Sequence, residues 1–146
     1  MNITLLAVDR LREPYLRDGC ALYIKRLAPL LPVRIVEVRP GAKTEESAAL
    51  LKQIAADATV WALDQSGAEL SSEQLAGRLQ TVERSGSNHL ALVIGGAEGL
   101  EDSVRSRADF IWSLSPLTFL HEMARLMVLE QLYRAVKINR GEPYHR

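Results

Sequence analysis

Residues 90–100 read Leu90-Ala91-Leu92-Val93-Ile94-Gly95-Gly96-Ala97-Glu98-Gly99-Leu100. Five consecutive apolar residues without polar alternation predict a strand covered on both faces, as in a parallel sheet flanked by helices. The glycines that follow permit positive φ and bring bare backbone close to a ligand or another segment. Working outward, β-prone runs at 3–8, 33–38, 59–63 and 110–114 predict four more strands. Helical patterns lie between them. Pro14 opens the first, with Leu16, Cys20, Tyr23, Ile24 and Leu27 on one face. Thr44 reads as the N-cap of a helix to about residue 56, with Glu45 and Glu46 in its first turn. Ser71 and Gln74 have capping-box spacing and open a helix to about residue 84. Shorter helical sequence covers about 100–108, and the final helix about 121–138. Strict β–α alternation predicts one α/β domain over residues 1–146, with a mostly parallel sheet.

Composition narrows the function classes. The chain has 146 residues, 47% of them hydrophobic and 25% charged, the balance of a globular protein. Cys20 is the only cysteine, so no internal disulfide can form and a reducing cytoplasm is the expected setting. No run approaches the ~20 apolar residues of a membrane span, and residues 1–10 read as a strand, not a signal peptide. His89, His121, His145 and Cys20 lack metal-ligand spacing, so no metal is expected. The formal charge is zero but uneven. Residues 1–43 carry eight Lys/Arg against four Asp/Glu, residues 44–111 five against eleven, and residues 112–146 five against three. Basic ends around an acidic middle fit either RNA contact or an ordinary mixed surface.

Three segments at strand ends could carry chemistry, because open α/β sheets bind ligands beyond the carboxyl ends of their strands. They are Leu63-Asp64-Gln65-Ser66-Gly67, Ile94–Leu100, and Trp112-Ser113-Leu114-Ser115-Pro116-Leu117-Thr118-Phe119. Ala97 breaks the dinucleotide fingerprint, and no Lys-Ser/Thr pair marks a phosphate loop. The first βα turn, Val8-Asp9-Arg10-Leu11-Arg12-Glu13, has no glycine at all. Pro116 prevents helix before it, so this loop exposes main-chain groups that need partners. An adenine edge would match them; so would the hydroxyls of Ser113, Ser115 and Thr118. His121, Glu122 and Arg125 lie near the start of the last helix. They fit either surface capping charges or, for Arg125, contact with an RNA phosphate or a partner subunit. That helix is apolar around most of its circumference: Val128 and Ala135 widen a stripe of Met123, Leu126, Met127, Leu129, Leu132, Tyr133 and Val136. Cover on two sides is expected, from a central position or from a second subunit. The tail Pro143-Tyr144-His145-Arg146 gathers a stacking ring, a proton acceptor and a cation.

Taken together, these segments, with Glu130-Gln131-Leu132-Tyr133-Arg134-Ala135 and the terminal tail, resemble the RlmH family of large-subunit ribosomal RNA pseudouridine-N3 methyltransferases, of the SPOUT class, over essentially the whole chain. The resemblance implies a SPOUT fold with a C-terminal trefoil knot, a homodimer, S-adenosyl-L-methionine (AdoMet) as cofactor, and the assembled 70S ribosome as partner. It implies cofactor contacts at Leu63, Gly95, Leu114, Ser115, Pro116, Leu117, Thr118 and Phe119. It implies that His145, Tyr144, Arg125 and Arg146 serve the reaction, His145 as candidate base. The chain departs from the family at Pro116, where Ala is frequent, at Ala97, where Pro is, and at Glu122-Met123-Ala124. Two alternatives remain open: a SPOUT enzyme acting on tRNA, and a non-catalytic α/β dimer that binds RNA or ribosomes.

Overall fold

The computed structural model describes residues 1–144. Ten elements alternate along the chain: β1 (Asn2–Val8), α1 (Pro14–Leu27), β2 (Val33–Val38), α2 (Lys43–Lys52), β3 (Thr59–Glu69), α3 (Ser72–Arg84), β4 (His89–Val93), α4 (Asp102–Arg107), β5 (Phe110–Ser113) and α5 (His121–Asn139). The strands form one sheet in the order β2-β1-β4-β3-β5, and every pairing is parallel. The α/β expectation therefore holds.

β4 shows why its sequence has no polar alternation. Leu90, Leu92 and Ile94 point into one core with residues of α1, α3 and α5, while Ala91 and Val93 point into the other with Leu50 and Val104 of α2 and α4. A two-residue side-chain period feeds both layers, so both sets must be apolar. α5 lies in the first layer with α1 and α3 for neighbours. Its buried line is Ala124, Val128, Leu129, Leu132, Ala135 and Val136. Val128 and Ala135 are thus central, whereas Leu126, Met127 and Tyr133 are half-buried on the flanks. Neighbouring helices supply part of the second cover that the broad apolar face requires. Leu126, for one, packs over Gly19 of α1, where a Cβ would lie 3.0 Å from its methyl carbon.

Several boundaries differ from expectation. Pro14 does open α1, and Ser71 with Gln74 forms a reciprocal capping box. Thr44, however, is not a cap: Ala42 occupies that position without a side-chain bond, and Thr44 lies inside the helix. Glu46 is buried and accepts from the Gly41 amide at 3.0 Å, so it organises the entry to α2. The fourth helix begins at Asp102, because residues 95–99 form a tight turn closed by Gly99 N–H donating to Gly96 O at 3.0 Å. The largest difference is in β3. It does not end at Leu63: Leu63 and Ala68 both pair with Trp112 of β5, so residues 64–67 bulge outward before the strand resumes. Gly67 makes this possible, since a Cβ there would fall 2.5 Å from Ile111 O.

Candidate functional site

The bulge, the glycine turn and the β5–α5 loop converge at the carboxyl edge of the sheet around a cleft of about 390 Å³, within the size range of small-molecule sites. Leu63, Gly95, Leu114 and Ser115 line it, together with Leu117, Thr118 and Phe119. Seven of the eight expected contact residues thus share one cavity. The eighth, Pro116, is exposed at the loop's crest and does not line it. Trp112 closes the apolar floor, and His121 and Ala124 bring in the first turn of α5.

The cleft walls present backbone. A Cβ on Gly95 would lie 2.7 Å from both the carbon and the oxygen of the Gly99 carbonyl, and Gly99 itself has φ +83°. Both positions need glycine. In the β5–α5 loop, the Ser113 hydroxyl donates to Ser115 O at 3.1 Å, and the Leu117 amide donates to the Ser115 hydroxyl at 3.0 Å. The loop's own hydroxyls therefore hold its shape, which is one of the two expected readings. They do not exhaust its donors. Among the described residues, the amides of Ser115, Thr118 and Phe119 meet no protein acceptor. These free donors beside an apolar floor suit a flat heterocycle with a polar edge.

Two side-chain links hold the three segments in register. Gln65 Nε2 donates to Thr118 Oγ1 at 2.6 Å, tying the bulge to the β5–α5 loop. Arg105 of α4 donates to Asp64 Oδ1 at 2.9 Å, tying it to the helix beyond the glycine turn. Ser66 also bonds Asp64 Oδ2 through its amide and its hydroxyl. Partial burial opposes ionisation of Asp64, but bonds from Ser66 and Arg105 outweigh it, so the carboxyl sits below its ordinary value. Sequence reading quoted Asp64 and Gln65 as part of a motif but missed Arg105. Nothing in the spacing of residues 64 and 105 announces that they meet.

The other expected residues lie elsewhere. Arg125 has no exposed surface. Its guanidinium donates to Glu37 at 2.5 Å and to the carbonyls of Val8 and Asp9 at 3.2 and 2.7 Å. The expectation that it reaches an RNA phosphate is corrected: its terminal donors are already occupied by β1 and β2. Glu122 is buried as well, accepting from the amides of Arg12 at 2.5 Å and Glu13 at 3.3 Å. Both residues thus brace the β1–α1 loop. Tyr144 folds back onto α5, bonding Glu130 at 2.8 Å and approaching the Tyr23 hydroxyl at 3.3 Å, with Arg134 over its ring at 4.2 Å. Burial, then the bonds with Tyr23 and Glu130, raise its phenol above the usual range. Glu130 lies nine residues along the helix from His121, about 14 Å at the α-helical rise. Tyr144 therefore stands away from the cleft. His145 and Arg146 lie outside the described residues.

Comparison with known proteins now decides the family. The profile described as "Predicted SPOUT methyltransferase" matches residues 1–145. The chain belongs to this family. It is 46% identical over a 154-residue alignment to the ribosomal RNA large subunit methyltransferase H of Syntrophotalea carbinolica, covering 99% of each chain. It is 42% identical to the protein of the same name from Bifidobacterium adolescentis, over the full length of both. Among solved structures, a "probable methyltransferase" from Bordetella pertussis Tohama I aligns with a TM-score of 0.60 at 15% identity, covering 92% of this chain and 96% of that one. At that identity the likeness concerns the fold alone. No helix is long and apolar enough to cross a membrane among the described residues.

Proposed function

We propose that this protein methylates N3 of a pseudouridine in helix 69 of 23S ribosomal RNA, using AdoMet, as a homodimer acting on assembled ribosomes in the cytoplasm. The observation that carries the reading is the cleft itself, taken with relatives named for large-subunit ribosomal RNA methylation. Its residues fit AdoMet in size and in chemistry. The free amides of Ser115, Thr118 and Phe119 would meet the adenine edge, and Leu63, Leu114 and Leu117 would cover its faces. Gly95 would let the chain come close. When bound, the cofactor supplies an activated methyl group whose departure neutralises a sulfonium. No oxyanion hole or metal is then needed to stabilise a leaving group.

The protein's task is orientation, which is worth roughly 7–11 kcal/mol when reacting groups are held in line. A second task is removal of the imide proton from N3, and base assistance contributes typically about 10²–10⁴-fold. His145 is the proposed base, with Tyr144 stacking on or bonding the uracil and Arg146 pairing with phosphate or carbonyl. Because Tyr144 stands away from its own cleft, these groups would serve the cleft of the second subunit. The C-terminal segment would be threaded through a loop as a trefoil knot, which would help hold the β5–α5 loop against the glycine turn.

Transfer of a labelled methyl group from AdoMet to ribosomes, followed by nucleoside analysis, tests the proposal. N3-methylated pseudouridine is the expected product. Label in tRNA would favour the rival SPOUT substrate, and absence of AdoMet binding would favour the non-catalytic module. A near-neutral chain neutralises few phosphates, so intact 70S ribosomes should be far better substrates than naked ribosomal RNA.

A further inference from the structure

The two buried charges of α5 do not stop at bracing a loop. They fix where its cations stand. Arg125 takes the Val8 and Asp9 carbonyls, and Glu122 takes the Arg12 and Glu13 amides. Asp9 adopts φ +67°, and its carboxylate binds the Arg10 amide and the Arg12 guanidinium. A non-glycine residue persists in this conformation only where its surroundings over-determine it. The next strand end is joined to this one, for the Asp9 amide donates to Val38 O at 2.8 Å. Arg10 and Arg39 therefore follow the ends of two neighbouring strands, and Lys43 opens α2 just beyond.

The carboxylates near them are mostly committed. Asp9 serves Arg12, Glu37 serves Arg125, and Glu46 serves the Gly41 amide. Glu122 serves the Arg12 and Glu13 amides, while Glu13 and Glu45, at the starts of α1 and α2, make no ion pair among the described residues. Among the described residues, Arg10, Arg39 and Lys43 make no ion pair, and both arginines are exposed. This cluster stands on the same carboxyl edge of the sheet as the cleft, at the ends of β1, next to β4, and of β2 beyond it. β1 pairs with β4, the strand whose end opens the glycine turn. The Glu46 carboxylate presses so close to Gly96 that a Cβ there would meet it at 2.7 Å.

The geometry points to a phosphate-binding lip formed by Arg10, Arg39 and Lys43, with Arg12 beside them, which receives the RNA backbone flanking the nucleotide in the cleft. The assignment deepens the proposed function by naming how that substrate is held, and rests on it. Cations carried on a braced loop and on the neighbouring strand end place phosphates in register without reading sequence. Arg125 and Glu122 are positioning residues for the lip and touch no substrate.

The test is binding of the full chain to 70S ribosomes across a range of salt concentrations, comparing wild type, Arg10→Ala/Arg39→Ala and Arg10→Lys/Arg39→Lys. The alanine pair should bind about tenfold or more weakly at low salt, and its plot of log affinity against log salt should flatten by about 0.7–0.9 per cation removed. The lysine pair should keep the wild-type slope, and all three should melt at the same temperature. An unchanged affinity and slope in the alanine pair, a slope lost equally in the lysine pair, or no ribosome binding by wild type would each overturn the lip. A protein that binds with the expected slopes but transfers no methyl group would instead defeat the proposed reaction and leave the lip standing.

Discussion

At the scale of single residues, the cleft depends on atoms that are absent. Gly95→Ala would drive a methyl group into the Gly99 carbonyl group, and overpacking of that kind costs typically 1–3 kcal/mol. Calorimetry should show AdoMet affinity falling at least as steeply as stability. Gly77 is the contrast: it lies mid-α3 with nothing within 4 Å of an added Cβ. Gly77→Ala should raise unfolding free energy by about 0.5–1 kcal/mol and leave AdoMet binding unaltered. Asp64 gives a pH signature. Its folded value is depressed, so its contribution is present above its unfolded value near 3.9 and lost as pH falls through the folded one. Urea titrations should therefore show Asp64→Asn less stable than wild type at neutral pH, with the gap closing below about pH 4. A gap constant down to pH 3 would mean that ionised Asp64, with its bonds from Ser66 and Arg105, contributes nothing to folding.

At the scale of elements, α5 carries two unlike halves. Near its start it buries an arginine and a glutamate that hold the β1–α1 loop, while Glu130, Tyr133 and Arg134, from its midpoint onward, hold Tyr144. Arg125→Ala removes the partner of two carbonyls and opens a void in the core, a loss on the order of 3 kcal/mol. Arg125→Lys should recover little of it, because one ammonium cannot reproduce the guanidinium's fork. Denaturant unfolding decides: a loss under 1 kcal/mol in the alanine variant would show the burial to be incidental. Helical periodicity placed both residues at the helix start but could not say which way they point. Those positions look like surface charge until β1 and β2 are packed against them. β3 makes the same point from the opposite side. Its sequence turns polar at Asp64, which reads as an end, yet pairing with β5 resumes at Ala68.

At the scale of the whole molecule, the proposed homodimer, with Tyr144 held away from the cleft of its own chain, predicts that activity is a property of two chains. Subunits lacking residues 143–146 and subunits carrying Gly95→Ala should each be inactive alone, yet mixed dimers should regain part of the methyl transfer. No recovery, with dimers confirmed by sedimentation, would place the tail's action within one chain. What the sequence determined is the α/β architecture and the identity of the three loops. Apolar runs, Pro14, the capping box and the glycines each act through local sterics and side-chain period, which are visible in a string of residues. Only the tertiary structure decided that Leu63, Gly95, Leu114, Ser115 and residues 117–119 face a common cleft, that Asp64 meets Arg105, and that Arg125 turns inward. Those outcomes depend on strand order and on contacts between residues 41 to 117 positions apart, and no local rule carries information over such a span.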